Sequence, residues 1–231
     1  MKKWESNRQA QAIAKDVLRL IGQSITSADT EASIAQRATD LLAKRDVHET
    51  WYYDCPAFVL LGSRSCVSVS GRDYTPSNES VGDSNMVTID LSPSLGGAWG
   101  DCARSFFVES GAYVSEPSQR EFLVGHRTQR VLHSAMQEFA SRETTFEELH
   151  QFCNERIALA GFENLDFMGN LGHSINAKLD DRIYIEKGNL SRLSEIGLFT
   201  FEPHIREVGG KWGFKHENIY YFDEDGNATE L

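Results

Sequence analysis

The chain has 231 residues, of which 40% are hydrophobic, and its formal net charge is −11. This length can bury one large core or two small ones, so we expect a globular protein. The acidic residues are spread along the chain, which argues against nucleic acid or an anionic membrane surface as the main partner and favours small molecules or cations.

The amino-terminal segment lacks the apolar core of a signal peptide, and no stretch approaches the roughly 18 apolar residues of a membrane span. We therefore expect a cytoplasmic protein with no membrane partner. The cysteines are Cys55, Cys66, Cys102 and Cys153, and none of them forms a CxxC pair. We therefore expect them to be reduced, packed thiols.

Two helices are predicted at the start of the chain. Apolar residues recur at helical spacing over residues 10–21. A second helix is predicted from near Thr30 to Lys44, with Asp29 or Thr30 as its N-cap. Runs of β-branched and aromatic residues then predict strands at 57–61, 66–70, 86–91 and 104–114.

The second half of the chain repeats this order. A long helix is predicted from Pro117 to Phe139, and another over residues 144–162. Strands are then predicted at 165–170, 182–186, 198–202 and 217–222. The pattern of apolar residues over 30–47 matches that over 145–162 at an offset of 115. This match reflects either an internal duplication or chance. Duplication would give one α+β domain, residues 1–231, with two pseudo-twofold halves and helices on one face of a shared antiparallel sheet.

Two aspartates flank a glycine turn in the first half. Asp90 and Asp101 lie eleven residues apart around Gly96 and Gly97. In an antiparallel hairpin with an even-length loop, an odd separation places both side chains on one face. The two carboxylates are therefore expected to converge, the alternative being two solvent-facing acids near a turn.

Two glutamates are arranged in the same way in the second half. A two-residue turn at Gly209 and Gly210 would pair residues whose numbers sum to 419, and 202 plus 217 is 419. Glu202 and Glu217 would then be cross-strand neighbours, where like charges destabilise a sheet. Four converging acids need more positive charge than one side chain provides, and two divalent cations bridged by carboxylates fit the count.

A fifth candidate ligand is His173, which lies in the segment GNLGHSI. Glycines before it let the backbone approach a site closely, although a lone histidine is more often structural.

The order Asp, Asp, His, Glu, Glu in the contexts IDLSPSLGGAWGDCARSF, GNLGHSI, FTFEPHI and KHENIYYF resembles the M24 metallopeptidases. This family includes methionine aminopeptidase, aminopeptidase P and prolidase, and it has the pita-bread fold. The resemblance runs from about Thr30 to the carboxyl terminus. It implies a catalytic domain, without the extra amino-terminal domain of larger members.

The resemblance also implies ligand roles. Asp90 would bind one metal through both oxygens, Asp101 and Glu217 would bridge two metals, and His173 and Glu202 would bind the other. The implied cofactors are two divalent ions, Mn, Co, Fe or Zn, and oxygen-rich ligation leans toward Mn or Fe. A homodimer is common for this fold.

Two family histidines that contact substrate are absent. Arg72 or Asp73 stands where the first is expected, about 18 residues before the first aspartate, and Asp180 stands where the second is expected. Arg72 and Asp180 are therefore our candidate substrate-binding residues. The GHGIG pattern of the family also becomes GHSIN, and the usual arginine before the last ligand becomes Lys215-His216.

Three further residues lie next to the expected ligands. His204 shares a strand face with Glu202 and is either a general acid/base that replaces a missing histidine or a packed residue. Lys215, opposite His204, either orients a substrate carboxylate or projects into solvent, with solvent favoured. Arg104 is expected to be a structural charge partner rather than a catalyst.

The leading functional hypothesis is a dinuclear metallohydrolase that cleaves a short peptide, as aminopeptidases and Xaa-Pro peptidases do. The absent histidines favour an alternative substrate, a small non-peptide with a C–N bond, cleaved by hydrolysis as in creatinase or by elimination. A third hypothesis is a binding module that holds a peptide without turnover.

Overall fold

The computed structural model describes residues 4–231. The helices are α1 (Glu5–Gln23), α2 (Glu31–Ala43), α3 (Arg120–Phe139) and α4 (Phe146–Leu159). The strands are β1 (Glu49–Thr50), β2 (Ala57–Leu61), β3 (Asn85–Leu91), β4 (Pro93–Leu95), β5 (Ala98–Trp99), β6 (Cys102–Glu109), β7 (Ala112–Val114), β8 (Phe162–Asn164), β9 (Phe199–Phe201), β10 (His204–Glu207), β11 (Gly213–Lys215), β12 (Asn218–Phe222) and β13 (Ala228–Glu230). No helix within residues 4–231 combines the length and apolar character needed to cross a membrane.

The four predicted helices are present, and α2 and α4 begin in the same way. Thr30 caps α2 by accepting a hydrogen bond from the backbone N–H of Ser33, whose hydroxyl accepts one from the N–H of Thr30. Thr145 and Glu148 form the same capping box at the start of α4. These two caps are 115 residues apart, the offset of the proposed duplication. Helix α3 begins at Arg120, later than the predicted start at Pro117.

Every strand pair is antiparallel, but the strands do not form the single shared sheet that we expected. Within residues 4–231 they form four small sheets, ordered β2-β3-β6-β7, β1-β4-β5, β11-β10-β8 and β13-β12-β9. The division arises because Ser92 and residues 100–101 interrupt the first long hairpin, and residues 202–203 and 216–217 interrupt the second. Both interruptions contain expected metal ligands.

Three predicted strands are wrong. Residues Gly62–Cys66 form a short 3-10 helix, and residues 67–70, 165–170 and 182–186 form loops. Alternating valine and serine predicted a half-buried strand at 66–70, but Val67 and Val69 are 37% and 39% exposed and line a pocket instead of the core. The alternating valines therefore form part of a pocket wall and do not indicate a strand.

Two hydrophobic cores lie in the fold, one under α1 and α2 and the other under α3 and α4. The hairpin of β3 and β6 contributes to both, because successive residues of a strand point to opposite faces. Val87 and Phe106 pack in the first core, whereas Met86 and Phe107 pack in the second. This hairpin is therefore fixed between the two halves, and it carries Asp90.

Candidate metal centre

The first hairpin places Asp90 and Asp101 as expected. The pairs Ser94 with Trp99 and Leu95 with Ala98 enclose a two-residue turn at Gly96 and Gly97. Both glycines have positive φ, 56° and 82°, as a type I′ turn requires. Asp90 lies near the end of β3, and Asp101 lies in the interruption just before β6.

A buried glutamine from α1 holds the backbone of Asp101. The side-chain amide of Gln11 donates to the Asp101 carbonyl at 2.9 Å, and its carbonyl accepts from the Asp101 N–H at 2.8 Å. Gln11 is fully buried. Because Asp101 has no ladder partner at this point, Gln11 satisfies its backbone and fixes its position.

The second hairpin follows the predicted register. His204 pairs with Lys215, and Phe201 pairs with Asn218, so every pair sums to 419. Glu202 and Glu217 are the next residues along each strand and lie opposite one another. The predicted two-residue turn is wrong, because the Gly210 N–H closes a turn on the Glu207 carbonyl and the loop extends over residues 208–212.

Arg104 joins the two hairpins. Its guanidinium donates to the Glu217 carbonyl at 2.6 Å and to the Asn218 side chain at 2.7 Å. The Glu217 N–H in turn donates to the Ala103 carbonyl at 3.0 Å. These contacts agree with the structural role expected for Arg104 and place Glu217 beside the first hairpin.

His173 is fixed by a close approach of two backbones. Gly172 has φ of +143°, and a Cβ atom there would lie 2.2 Å from the Thr200 carbonyl oxygen. The N–H of His173 donates to the Thr200 hydroxyl, and its Nδ1 lies 3.0 Å from the Ser174 carbonyl oxygen. Donation from Nδ1 leaves Nε2 to face the acids.

Asp101, His173 and Glu217 form a buried group whose candidate ligand atoms all lie within 4.8 Å of one another. Within residues 4–231, the Asp101 Oδ2 atom and both Glu217 side-chain oxygens are buried without a hydrogen-bond partner. His173 Nε2 lies 3.4 Å from Asp101 Oδ2 and 3.7 Å from Glu202 Oε1. These residues fit one divalent cation, because a cation would satisfy all the unpartnered oxygens at once.

Burial is the largest influence on the pKa values of these acids. Burial raises the pKa of Asp101 to about 6, and burial together with the nearby Asp101 raises the pKa of Glu217 well above its usual range. The pKa of Asp90 is also raised by burial. Burial acts in the same direction on Glu202, but Lys215 and His173 outweigh it and lower its pKa. Added positive charge would stabilise the ionised form of this group.

Lys215 does not project into solvent, and that favoured expectation is wrong. Its ammonium lies 2.6 Å from Asp90 Oδ2, 3.0 Å from Glu202 Oε2 and 3.6 Å from Glu217 Oε2. Burial opposes its charge, but these three carboxylates raise the pKa of Lys215 well above its usual value. The lysine is a fixed positive charge within the acidic cluster.

His204 lines the same pocket and is packed. Its Nε2 atom lies 2.6 Å from the Ser65 carbonyl oxygen and donates to it, and burial lowers its pKa to about 4. A neutral ring whose Nε2–H already donates a hydrogen bond to the backbone matches the packed alternative. The general acid/base role stays a prediction.

The structure does not bring Arg72 and Asp180 to the pocket. Arg72 is exposed within a turn at residues 70–73, with its guanidinium 4.2 Å from the centre of the Tyr53 ring. Asp180 is exposed in a short 3-10 helix at the tip of the loop between His173 and Tyr184. Neither residue lines the pocket that contains the acids.

The pocket above the acids has a volume of about 330 Å³. Its walls include residues that the sequence analysis missed, namely Trp51, Tyr52, Phe167, Met168, Arg182 and Tyr184. The guanidinium of Arg182 lies 5.3 to 5.9 Å from the ring centres of Trp51, Tyr52 and Tyr184. The aromatic run WYYD at 51–54 was the available signal, but no spacing rule linked it to Arg182.

Residues 5–224 match the family described as metallopeptidase family M24. The chain belongs to this family. Among curated protein sequences, none matches the chain significantly.

Solved structures show the same fold. An X-Pro aminopeptidase from Thermotoga maritima aligns with 98% of this M24 chain at 23% identity and a TM-score of 0.80. A prolidase from Pyrococcus furiosus aligns with 98% at 19% identity and a TM-score of 0.78. The chain covers 59% and 62% of these two proteins, so it spans about six tenths of their length. The predicted pita-bread fold is confirmed.

Proposed function

We propose that this M24 chain is a metal-dependent hydrolase that cleaves a short peptide, as an aminopeptidase or an Xaa-Pro peptidase does. The observation that carries the proposal is the group of Asp101, His173 and Glu217 at the floor of the pocket. Its unpartnered buried oxygens and the inward-facing Nε2 atom suit a divalent cation. Family membership and the fold of X-Pro aminopeptidase and prolidase support the reaction type.

A divalent ion bound there would act as a Lewis acid and lower the pKa of a coordinated water to near neutrality. Asp101, His173 and Glu217 would hold it, with Glu202 beside His173. The family roles assign Asp90 to a second ion, so the expected dinuclear centre needs Asp90 to be free. Oxygen-rich ligation with one histidine favours Mn or Fe over a thiolate-type zinc site.

The pocket walls suit a small amphipathic substrate. A volume of about 330 Å³ lies at the lower end of small-ligand pockets and suits a molecule the size of a dipeptide. Arg182 supplies a positive charge for a substrate carboxylate, and Trp51 and Tyr184 supply apolar walls. Arg182 therefore replaces Arg72 and Asp180 as our candidate for substrate orientation.

A small non-peptide with a C–N bond is the second candidate substrate. The exposure of Arg72 and Asp180 favours it, because neither residue replaces the absent histidines at the pocket. A cytoplasmic location, a single catalytic domain and a homodimer stay predictions.

The test begins with metal analysis of protein purified without chelator. We expect bound divalent metal in the wild type, its loss in His173→Ala, and its retention in the control His48→Ala, which alters an exposed histidine. No metal in the wild type, or equal metal in His173→Ala, would contradict the site.

A substrate panel then separates the alternatives. Turnover of Xaa-Pro dipeptides or of amino-terminal methionyl peptides would support the peptidase, and turnover of small non-peptide amides alone would support the second candidate. Bound metal with tight peptide binding and no hydrolysis would favour a binding module.

A further inference from the structure

We propose that the ammonium of Lys215 takes the place of one of the two metal ions, so that the centre binds a single divalent ion at Asp101, His173 and Glu217. This inference rests on the proposed function, because it concerns how many ions the same site holds. It departs from the dinuclear centre that the family resemblance implies.

The Lys215 ammonium already occupies the space beside Asp90 and Glu202. Lys215 Nζ lies 2.6 Å from Asp90 Oδ2 and 3.0 Å from Glu202 Oε2. A divalent ion bound by Asp90 would need the same carboxylate at roughly 2.0 to 2.6 Å. It would therefore lie close to a like charge within a buried site, where charges are weakly screened. The second metal position does not fit the residues present.

Lys215 is also built into the site through its backbone. The Lys215 N–H donates to the Ser105 hydroxyl at 2.9 Å, and this hydroxyl lies 3.1 Å from the Lys215 carbonyl oxygen. Ser105 belongs to β6 of the first hairpin. Both backbone groups of Lys215 are thus fixed between the two hairpins. A lysine ammonium is a compact charge with three donors, and three carboxylates surround it.

The four carboxylates differ in the partners that they already have. The oxygens without partners belong to Asp101 and Glu217, on the His173 side of the cluster. Asp90 and Glu202 are instead within 3.0 Å of the Lys215 ammonium, whereas Glu217 Oε2 lies 3.6 Å from it. The four acids carry four negative charges, and one lysine with one divalent ion offsets three of them. A dinuclear centre with a bridging hydroxide has this same net charge.

The experiment counts metal ions. Metal-free wild type is titrated with Mn²⁺, and bound ions per folded chain are measured by calorimetry and by elemental analysis after desalting. Electron paramagnetic resonance of the Mn²⁺ form distinguishes an isolated ion from an exchange-coupled pair. We expect one ion per chain in the wild type, with the spectrum of an isolated ion.

Lys215→Met removes the charge but keeps a long apolar side chain. We expect it to bind two ions per chain, with an exchange-coupled spectrum, because Asp90 and Glu202 become available. Lys215→Gln is the second variant, with the same expected count, should methionine prevent folding, which circular dichroism detects. Lys44→Met, which alters an exposed lysine at the end of α2, should stay at one ion.

The outcomes separate this inference from the proposed function. Two ions in the wild type would overturn the inference and leave the metal-dependent hydrolase intact. One ion in the wild type and in both folded variants would also overturn it, because Lys215 would not be the group that excludes the second ion. No ion in the wild type would overturn the proposed function as well.

Discussion

Gln11 is expected to set both the stability of the fold and the position of Asp101. Replacing Gln11 with Met keeps the side-chain length and helix propensity but removes two hydrogen bonds to the Asp101 backbone. A buried polar group that loses its partner costs about 1–3 kcal/mol. Two such groups lose their partner here, so we expect Gln11→Met to lower the free energy of unfolding by about 3 kcal/mol.

The assay is urea unfolding followed by tryptophan fluorescence, together with the thermal midpoint. For a chain of this size 1 kcal/mol corresponds to a shift of roughly 2–4 °C, so the midpoint should fall by about 6–12 °C. Gln9→Met is the matched control, because Gln9 lies on the same helix and is exposed. It should change stability by less than about 0.5 kcal/mol. Equal stability of the two variants would refute the stabilising role of Gln11.

Three further predictions concern other parts of the fold. Glu31→Gln should lower the free energy of unfolding by about 3 kcal/mol in urea titrations, because the buried carboxylate accepts hydrogen bonds from two backbone N–H groups and a guanidinium; unchanged stability would contradict this. Gly172→Ala should destabilise the protein and reduce Mn²⁺ binding, because its Cβ atom would clash with the Thr200 carbonyl. Gly188 also has positive φ but open space around it, so Gly188→Ala should lower the free energy of unfolding by only about 1 kcal/mol and keep the metal. Similar losses of stability and metal in both variants would exclude the clash at Gly172 as the cause. Burial lowers the pKa of His133 to about 3, so the folded state stays neutral while the unfolded state binds a proton below about pH 6.5. As the pH falls from 6.5 to 3, this group should therefore lower the free energy of unfolding by about 1.4 kcal/mol per pH unit. His133→Asn should show a shallower decline of stability with pH than the wild type. Parallel stability curves for the two proteins would contradict this prediction.

The sequence predicted the parts of the site that depend on local rules. Glycines at 96 and 97 specified a turn, and the turn specified a register that brings Asp90 toward Asp101. The register of the second hairpin was also predicted, although its loop is longer than expected. The register survives this error, because the last pair before the loop, Arg206 with Gly213, still sums to 419.

The pocket walls could not be predicted in the same way. Arg182 and Trp51 come together from loops more than a hundred residues apart, and no strand or helix period connects them. Arg72 and Asp180 were chosen by counting from the ligands, but turns at 70–73 and 179–181 change the direction of the chain. Sequence spacing along a loop does not determine where the side chains of its residues lie in the folded protein.

Lys215 shows where the sequence contained more information than the prediction used. Alternate residues of a strand share a face, so Lys215 lies on the same face as Glu217, and the cross-strand register places it near Glu202 as well. A lysine on a face that gathers four carboxylates is attracted to them more strongly than to water, because burial makes each unpaired acid costly. The strand face on which Lys215 lies was therefore enough to predict that its side chain contacts the carboxylates instead of solvent. The distance of 2.6 Å to Asp90 depends on how the two hairpins pack through Ser105 and Arg104, and only the folded chain supplies it.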